Sequence, residues 1–488
     1  MMSGRRVGGG AVSDFRGVLT LKSVSFLLMF LVLFFTFGCA RFGFVPAPRG
    51  AEQKVVAVQA ADTAKPAVKP AERKVRTRDV DFSGAFDDSP APQPAQTLRN
   101  PPISAQKRNV RVMVRRNVRE AVVSSTAAFE VRMSGSRTTL QGSVYLEARD
   151  GVAVATTADK AKKELRLPCT LLVGSGSNHI NLGENSYRGV LVVVSEGKNL
   201  LSFINILEVE DYLRGVVPLE IGNLPRADIE AVKAQAIAAR TYSYRKMSAS
   251  RRNLFDMVST VADQVYGGAK AETVVSDDAI LATKDLIMAH GNDIVRAYYH
   301  STCGGKTANI EDVWGGESIP YLRSQSDLTD EGRPFCTGGG TSFAWSETWP
   351  EKQFADIIRR YSAEGNLTPP FTRGSVKNIA IRERYECGRI KTMAIVPTSG
   401  PEHIAGGDKL RFVIRRNTPS RQVQILRSSN IKTVSLTNSE IKMTGSGHGH
   451  GVGMCQVGAI ARARSGQNFE QILKSYYTGI TLRTVVQD

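Results

Sequence analysis

The sequence predicts an α+β protein, with a β-rich N-terminal part followed by a mixed helix and sheet region. Three observations carry this expectation. Short apolar runs bounded by turn residues crowd residues 110–206. An alanine-rich segment with helical periodicity follows from Asp228. The chain has 488 residues of which 42% are hydrophobic, enough to bury one or more substantial cores.

In chain order, Arg5, Arg6, Arg16 and Lys22 precede an apolar run over residues 24–37, with Gly38-Cys39 directly after it. This pattern reads as an export signal. A run of about fourteen residues is short for a membrane span, which needs ~20. Cys39 stands where a bacterial lipoprotein carries its lipidated first residue. Thr36 and Phe37 depart from the usual leucine and small residue there, so an uncleaved membrane anchor is the alternative. Residues 1–39 are thus signal or anchor. Residues 40–105, rich in Ala, Pro, Lys, Arg and Gln, read as a tether that cannot pack a core. The net charge of +18 would ordinarily point to nucleic acid. In an exported chain it points instead to an anionic envelope polymer or to lipid headgroups.

Strands are expected over residues 110–114, 128–132, 142–147 and 189–194, giving a β-rich subdomain over 106–200. A further strand over 201–206 opens a core region over 201–330. The helix that follows has Asp228 as N-cap, Glu230 in its first turn, and Arg245 and Lys246 in its last. Ile229, Val232, Ala236 and Ala239 form its apolar stripe, with Lys233 and Arg240 two turns apart on the border. Spacing alone leaves those two either as solvated charges or pointing together into a groove. Residues 331–488 complete the chain. Within them a helix is expected around 351–361, and short helices over 456–464 and 469–477, stopped by Gly466 and Gly479. Trp345 and Trp349, at i and i+4, are read as a packed helix edge, with stacking on sugar as the alternative.

Two segments carry chemistry. In Glu210-Asp-Tyr-Leu-Arg-Gly-Val-Val-Pro-Leu-Glu220, a carboxyl follows an apolar run that can raise its pKa toward general-acid use. Such a glutamate can equally cap a helix or pair with a lysine. In Gly445-Ser-Gly-His-Gly-His-Gly-Val-Gly-Met-Cys-Gln456, alternating glycines let backbone approach a ligand with the His448 and His450 rings alongside.

These segments, with Ala231-Val-Lys-Ala-Gln-Ala-Ile-Ala-Ala-Arg-Thr-Tyr242, Gln264-Val-Tyr266 and Tyr298-Tyr-His-Ser-Thr-Cys-Gly-Gly-Lys-Thr307, resemble the SpoIID/LytB family over roughly residues 110–488. The resemblance implies a peptidoglycan lytic transglycosylase acting on glycan strands, preferably stripped of peptide. It places the family's catalytic glutamate at Glu220. It turns Lys233 and Arg240 toward the groove, and Gln235, Tyr242, His300, His450 and Gln456 join them as candidate substrate-binding residues. One protonated glutamic acid suffices for this reaction, because the sugar's own 6-hydroxyl closes a 1,6-anhydro ring. Hydrolysis would need a second carboxylate, for which Glu208, Glu210 and Asp211 are the candidates. The segment 221–230 is longer than in many members, which bears on substrate detail. The family's LytB branch implies a second reading, a non-catalytic enhancer of a cell-wall amidase; a wall-binding lipoprotein is a third.

No cofactor and no metal are assigned. Cys303 and Cys336 are expected to form a disulfide in an exported protein, ahead of a zinc site built on His300, Cys303 and Cys336. Cys455 beside His450 offers a thiol-peptidase alternative. Cys169 and Cys387 have no assigned partner. The expected location is the cell envelope, with attachment to the membrane through the N-terminus.

Overall fold

The computed structural model describes residues 103–105, 109–174, 179–250, 253–417, 423–437 and 439–487. The expected signal or anchor, Cys39 and nearly all of the tether lie outside these. Among the described residues no helix is long and apolar enough to cross a membrane.

Each expected strand overlaps an observed one, and only that over 189–194 is offset, by one residue, to Val190–Ser195. Asn109–Val118 buries Val110 and Val112. Glu120–Met133 buries Val123, Phe129 and Val131, and a turn at Gly135 returns the chain as Ser136–Arg149. The period of two follows from the pleat, which sends alternate side chains to opposite faces. These strands belong to an eleven-stranded sheet whose main path runs Met257–Val258, Asn109–Val118, Leu201–Glu208, Val190–Ser195, Cys169–Val173, Glu120–Met133, Ser136–Arg149, Val152–Thr156, Lys162–Leu165. Leu201–Glu208 lies between Asn109–Val118 and Val190–Ser195. The boundary expected at residue 200 therefore falls inside one sheet, and a single apolar core runs from Val110 to Val485.

Nine helices are described: α1 Val209–Arg214, α2 Val217–Ile221, α3 Ile229–Ala249, α4 Val274–Ala282, α5 Ile310–Trp314, α6 Glu351–Tyr361, α7 Leu410–Val413, α8 Gln456–Arg464 and α9 Phe469–Tyr476. The alanine-rich α3 is buried on nearly every side, with Ala234, Ile237, Ala238 and Thr241 as inaccessible as the expected stripe. Small side chains let α1, α4, α8 and α9 and the strand Leu286–His290 approach it closely. Asp228 stands at the N-cap position but makes no side-chain cap bond; its carboxylate grips Arg464 of α8 at 2.8 and 2.7 Å. The ion pair thus replaces the expected cap.

Residues 344–446 form a lobe with its own core, including Trp345, Trp349, Phe354, Ile358, Phe371, Ile395 and Met443. Its stem is the antiparallel pair Ala344–Pro350 and Glu440–Ser446, with Ala344 opposite Ser446. Trp345 and Trp349 lie on this strand and not on a helix, yet i, i+4 spacing keeps both on one face in either geometry. Both are buried, their indole N–H groups donating to the carbonyls of Gly447 and Arg415. Neither is placed to stack on a sugar. Beyond the lobe, Met454–Cys455 pairs in parallel with Tyr299–His300, and Thr481–Gln487 pairs with Leu286–His290.

Candidate functional site

Glu220 stands on the short helix α2, opened by Pro218 and ended at Gly222, whose φ of +92° suits glycine. Its carboxyl is half-buried, and one oxygen accepts the Val265 N–H at 2.8 Å. The other oxygen has no hydrogen bond among the described residues. Burial pushes the carboxyl above its ordinary range, and the Val265 N–H only partly offsets this.

The Gln264-Val-Tyr266 motif builds the surroundings. Gln264 is inaccessible; its amide nitrogen donates to the Tyr299 hydroxyl at 2.9 Å, and its amide oxygen accepts from Tyr212 and Ser243, each at 3.2 Å. Tyr266 donates to Asn205 at 2.8 Å. Tyr212, Tyr242 and Tyr299 are all pushed up, first by burial, with the nearby Glu220 charge contributing.

The residues expected from α3 divide. Gln235 is buried and accepts from Gln456 of α8 at 3.3 Å, while its own amide nitrogen has no partner. Tyr242 donates to Asp263 at 2.9 Å and presents its ring edge to Tyr298. Lys233 and Arg240 do not converge beside Glu220. Lys233 pairs with Glu230 at 2.7 Å and lies over the Phe469 ring. Arg240, 0% exposed, forks onto Glu210 with two 2.7 Å contacts and also donates to the carbonyls of Leu286 and Ile280. That pair commits Glu210. Asp211 lies 3.9 Å from Arg214, and Glu208 is exposed.

The glycine loop packs on the protein's own chain. Gly449 and Gly453 have φ of +101° and +71°, and an added Cβ would lie 2.9 Å from His300 Cβ and 2.0 Å from the Tyr298 carbonyl oxygen. The glycines let the loop lie flush on the protein's own segment 298–302, which explains the need for them without a ligand. His448 and His450 do not share an environment. His448 faces Ser342 at 3.3 Å, whereas His450 packs against Trp314, His300 and Tyr298 with ring centroids at 5.0, 5.5 and 6.3 Å. Burial holds both down to about 4, so both are neutral at physiological pH. His300 is buried with Nδ1 against the Val452 carbonyl at 3.2 Å, the donor tautomer there, and burial holds it far below 6.5. Its Nε2 has no partner.

One functional candidate escaped the sequence reading. Trp314, 46% exposed, packs on Tyr298 at 4.8 Å and rims a cleft of about 410 Å³ lined also by Arg296, Ile310, Glu317 and Ile319. Tyr242, Tyr298, Trp314 and His450 thus form a continuous aromatic path leading away from the Glu220 side. The available signal was an aromatic residue closing a short helical run just before Gly315-Gly316.

Cys303 and Cys336 are free thiols with their sulfurs 3.5 Å apart, so the expected disulfide is not formed. His300 turns to Val452 and is not grouped with them. Cys455 is fully buried and its sulfur accepts the Gly458 N–H at the start of α8. It is inaccessible as a nucleophile.

Residues 197–290 match the family model described as Stage II sporulation protein, SpoIID, a span holding Glu220, α3 and Gln264 to Tyr266. Residues 335–453, chiefly the inserted lobe, match a domain of unknown function (DUF8618). An uncharacterized protein of Brachyspira hyodysenteriae is 27% identical over 61% of this chain and 72% of its own. Stage II sporulation protein D of Bacillus subtilis is 28% identical over 56% of this chain and 74% of its own. The amidase enhancer of Bacillus subtilis is also 28% identical, over 55% of this chain but only 40% of its own length. With its glutamate, its buried helix and its glycine loop joined in one core, the chain carries a SpoIID match over residues 197–290 and is similar to stage II sporulation protein D and to the amidase enhancer.

Proposed function

We propose that this protein is a lytic transglycosylase of the cell envelope that cuts peptidoglycan glycan strands through Glu220. The observation that carries the reading is the Glu220 carboxyl itself: half-buried, raised by burial, and with one oxygen free of hydrogen bonds among the described residues. As an acid it donates its proton to the glycosidic oxygen, and the bond from that oxygen to the anomeric carbon breaks. The muramyl 6-hydroxyl then attacks the anomeric carbon and returns its proton to the Glu220 carboxylate, leaving a 1,6-anhydro end. The Val265 N–H stabilises the carboxylate while the proton is away. With Glu210 bound to Arg240, a route needing one carboxyl is favoured over two-carboxylate hydrolysis. The aromatic path from Tyr242 to Trp314 supplies ring faces for the glycan, and Gln235 and Gln456 set the floor between α3 and α8.

The relative named amidase enhancer supports a second reading, in which the groove binds strands and stimulates a cell-wall amidase. Under either reading the N-terminus exports the chain and holds it at the membrane. Mass spectrometry of products separates the two. Wild-type protein and Glu220→Gln are incubated with strands bearing peptides or stripped of them, with and without an amidase. Anhydro-muramyl ends made only by the wild type support the transglycosylase. No new ends, with faster peptide release when amidase is added, would overturn it in favour of the enhancer.

A further inference from the structure

Behind the glycine loop lies a cluster that the proposed reaction does not use. Cys303, Asp327, Cys336 and Cys455 are all buried, and one ligand atom from each falls within a mutual spread of 4.8 Å. They come from four separate stretches: the segment after Tyr299–His300, the loop before Pro334, the 3-10 turn Phe335–Ser342, and the start of α8. We propose that these four residues form a structural zinc site that pins the two halves of the candidate groove together.

The geometry supports this in three ways. A tetrahedral zinc with sulfur ligands at ~2.3 Å spaces those sulfurs by about 3.8 Å. Cys303 Sγ lies 3.5 Å from Cys336 Sγ and 3.2 Å from Asp327 Oδ2. Second, the carboxylate is oriented from behind. Asp327 Oδ1 accepts from the Tyr476 hydroxyl at 2.9 Å and pairs with Arg462 at 3.0 Å, which leaves Oδ2 turned toward the thiols. Such outer partners are what fixes a metal-binding group in place. Third, the sulfurs already accept backbone N–H groups: Cys455 from Cys303 and Gly458 at 3.2 and 3.3 Å, and Cys303 from Gly305 at 3.3 Å. Those donors and Arg462 offset the negative charge of three thiolates and a carboxylate around one dication. Coordination would release the thiol protons to solvent.

A disulfide between Cys303 and Cys336 is the competing use, but it would take the Cys303 thiol from Asp327 Oδ2 and give Cys455 no part in the link. Three thiols and a carboxylate fill four positions and leave none open, the mark of a structural site. The ion would fix Cys303, three residues after His300, to Cys455, which precedes the Gln456 that reaches Gln235.

The test uses the full-length chain, purified in reducing buffer without a histidine tag and analysed for metal by inductively coupled plasma mass spectrometry. About one zinc per chain is expected. Cobalt(II) reloading is expected to give thiolate-to-metal charge-transfer bands and the visible bands of a tetrahedral site. Cys303→Ser and Cys336→Ser are expected to lower zinc content at least tenfold, and Cys169→Ser and Cys387→Ser to leave it unchanged. A chain that stays metal-free after zinc supplementation, or cobalt bands lacking thiolate character, would overturn the site. So would a Cys303–Cys336 disulfide in peptide maps of the exported protein. The cobalt spectrum of the wild type keeps the proposal testable even if the serine variants fold poorly.

Discussion

Two opposing influences act on Glu220: burial favours its proton, and the Val265 N–H favours its charge. Burial dominates, so the folded chain holds the proton to higher pH than the unfolded chain does. The stability this contributes is complete below the ordinary value of 4.5 and is lost as pH rises through the folded pKa. Glu220→Gln keeps an acceptor for Val265 and removes that loss. Its thermal midpoint should exceed the wild type's at neutral pH, the difference vanishing below 4.5, while cleavage falls by roughly 10²- to 10⁴-fold. The wild-type rate should fall as pH rises through the raised carboxyl pKa. No limb from His300 or His450 should appear near 6.5, because burial keeps both neutral there. Trp314→Ala should weaken glycan binding about tenfold, or ~1.4 kcal/mol, in a strand-binding titration. Unchanged affinity would remove Trp314 from the groove. The half-buried position of Glu220 follows the apolar run before it and could be expected from sequence, whereas the exposure of Trp314 could not, since it depends on a cleft assembled from residues on either side of it.

Secondary structure was largely legible element by element, and the errors have physical causes. The reading of α3 treated it as amphipathic, with Lys233 and Arg240 on one border. A helix enclosed on nearly all sides has no solvated border, so Arg240 must find an ionic partner, and the partly buried Glu210 supplies it. Arg240→Met should cost about 3 kcal/mol in urea unfolding by leaving Glu210 unpaired, and Glu210→Gln with Arg240→Met should recover part of that. The double variant being no better than the single would show that the guanidinium acts mainly through the Leu286 and Ile280 carbonyls. Periodicity likewise left Trp345 and Trp349 ambiguous, because an i, i+4 pair shares a face on a strand as well as on a helix.

Across the whole molecule, the β-rich and helical regions merge into one core, and the separate body is the lobe over 344–446. Sequence gave little warning of it, because its strands and helices resemble those around it and only tertiary packing separates the two cores. Trp349, 1% exposed, anchors the lobe against Phe354. Trp349→Ala should destabilise the lobe by roughly 3–5 kcal/mol. Limited proteolysis should then cut within 344–446 while the sheet of residues 109–208 stays protected; simultaneous loss of both would mean that the cores unfold as one.

The stem that places Ala344 opposite Ser446 also bears on the order of folding. Cys303 and Cys455 are 152 residues apart along the chain, yet the Cys303 N–H meets the Cys455 sulfur. If the lobe closes first, its stem bypasses most of that span and leaves an effective loop of about 50 residues, which lowers the closure entropy by ~1 kcal/mol. The inserted lobe would then hasten the meeting of the His300 segment with the glycine loop, with Trp349→Ala slowing that step in refolding kinetics.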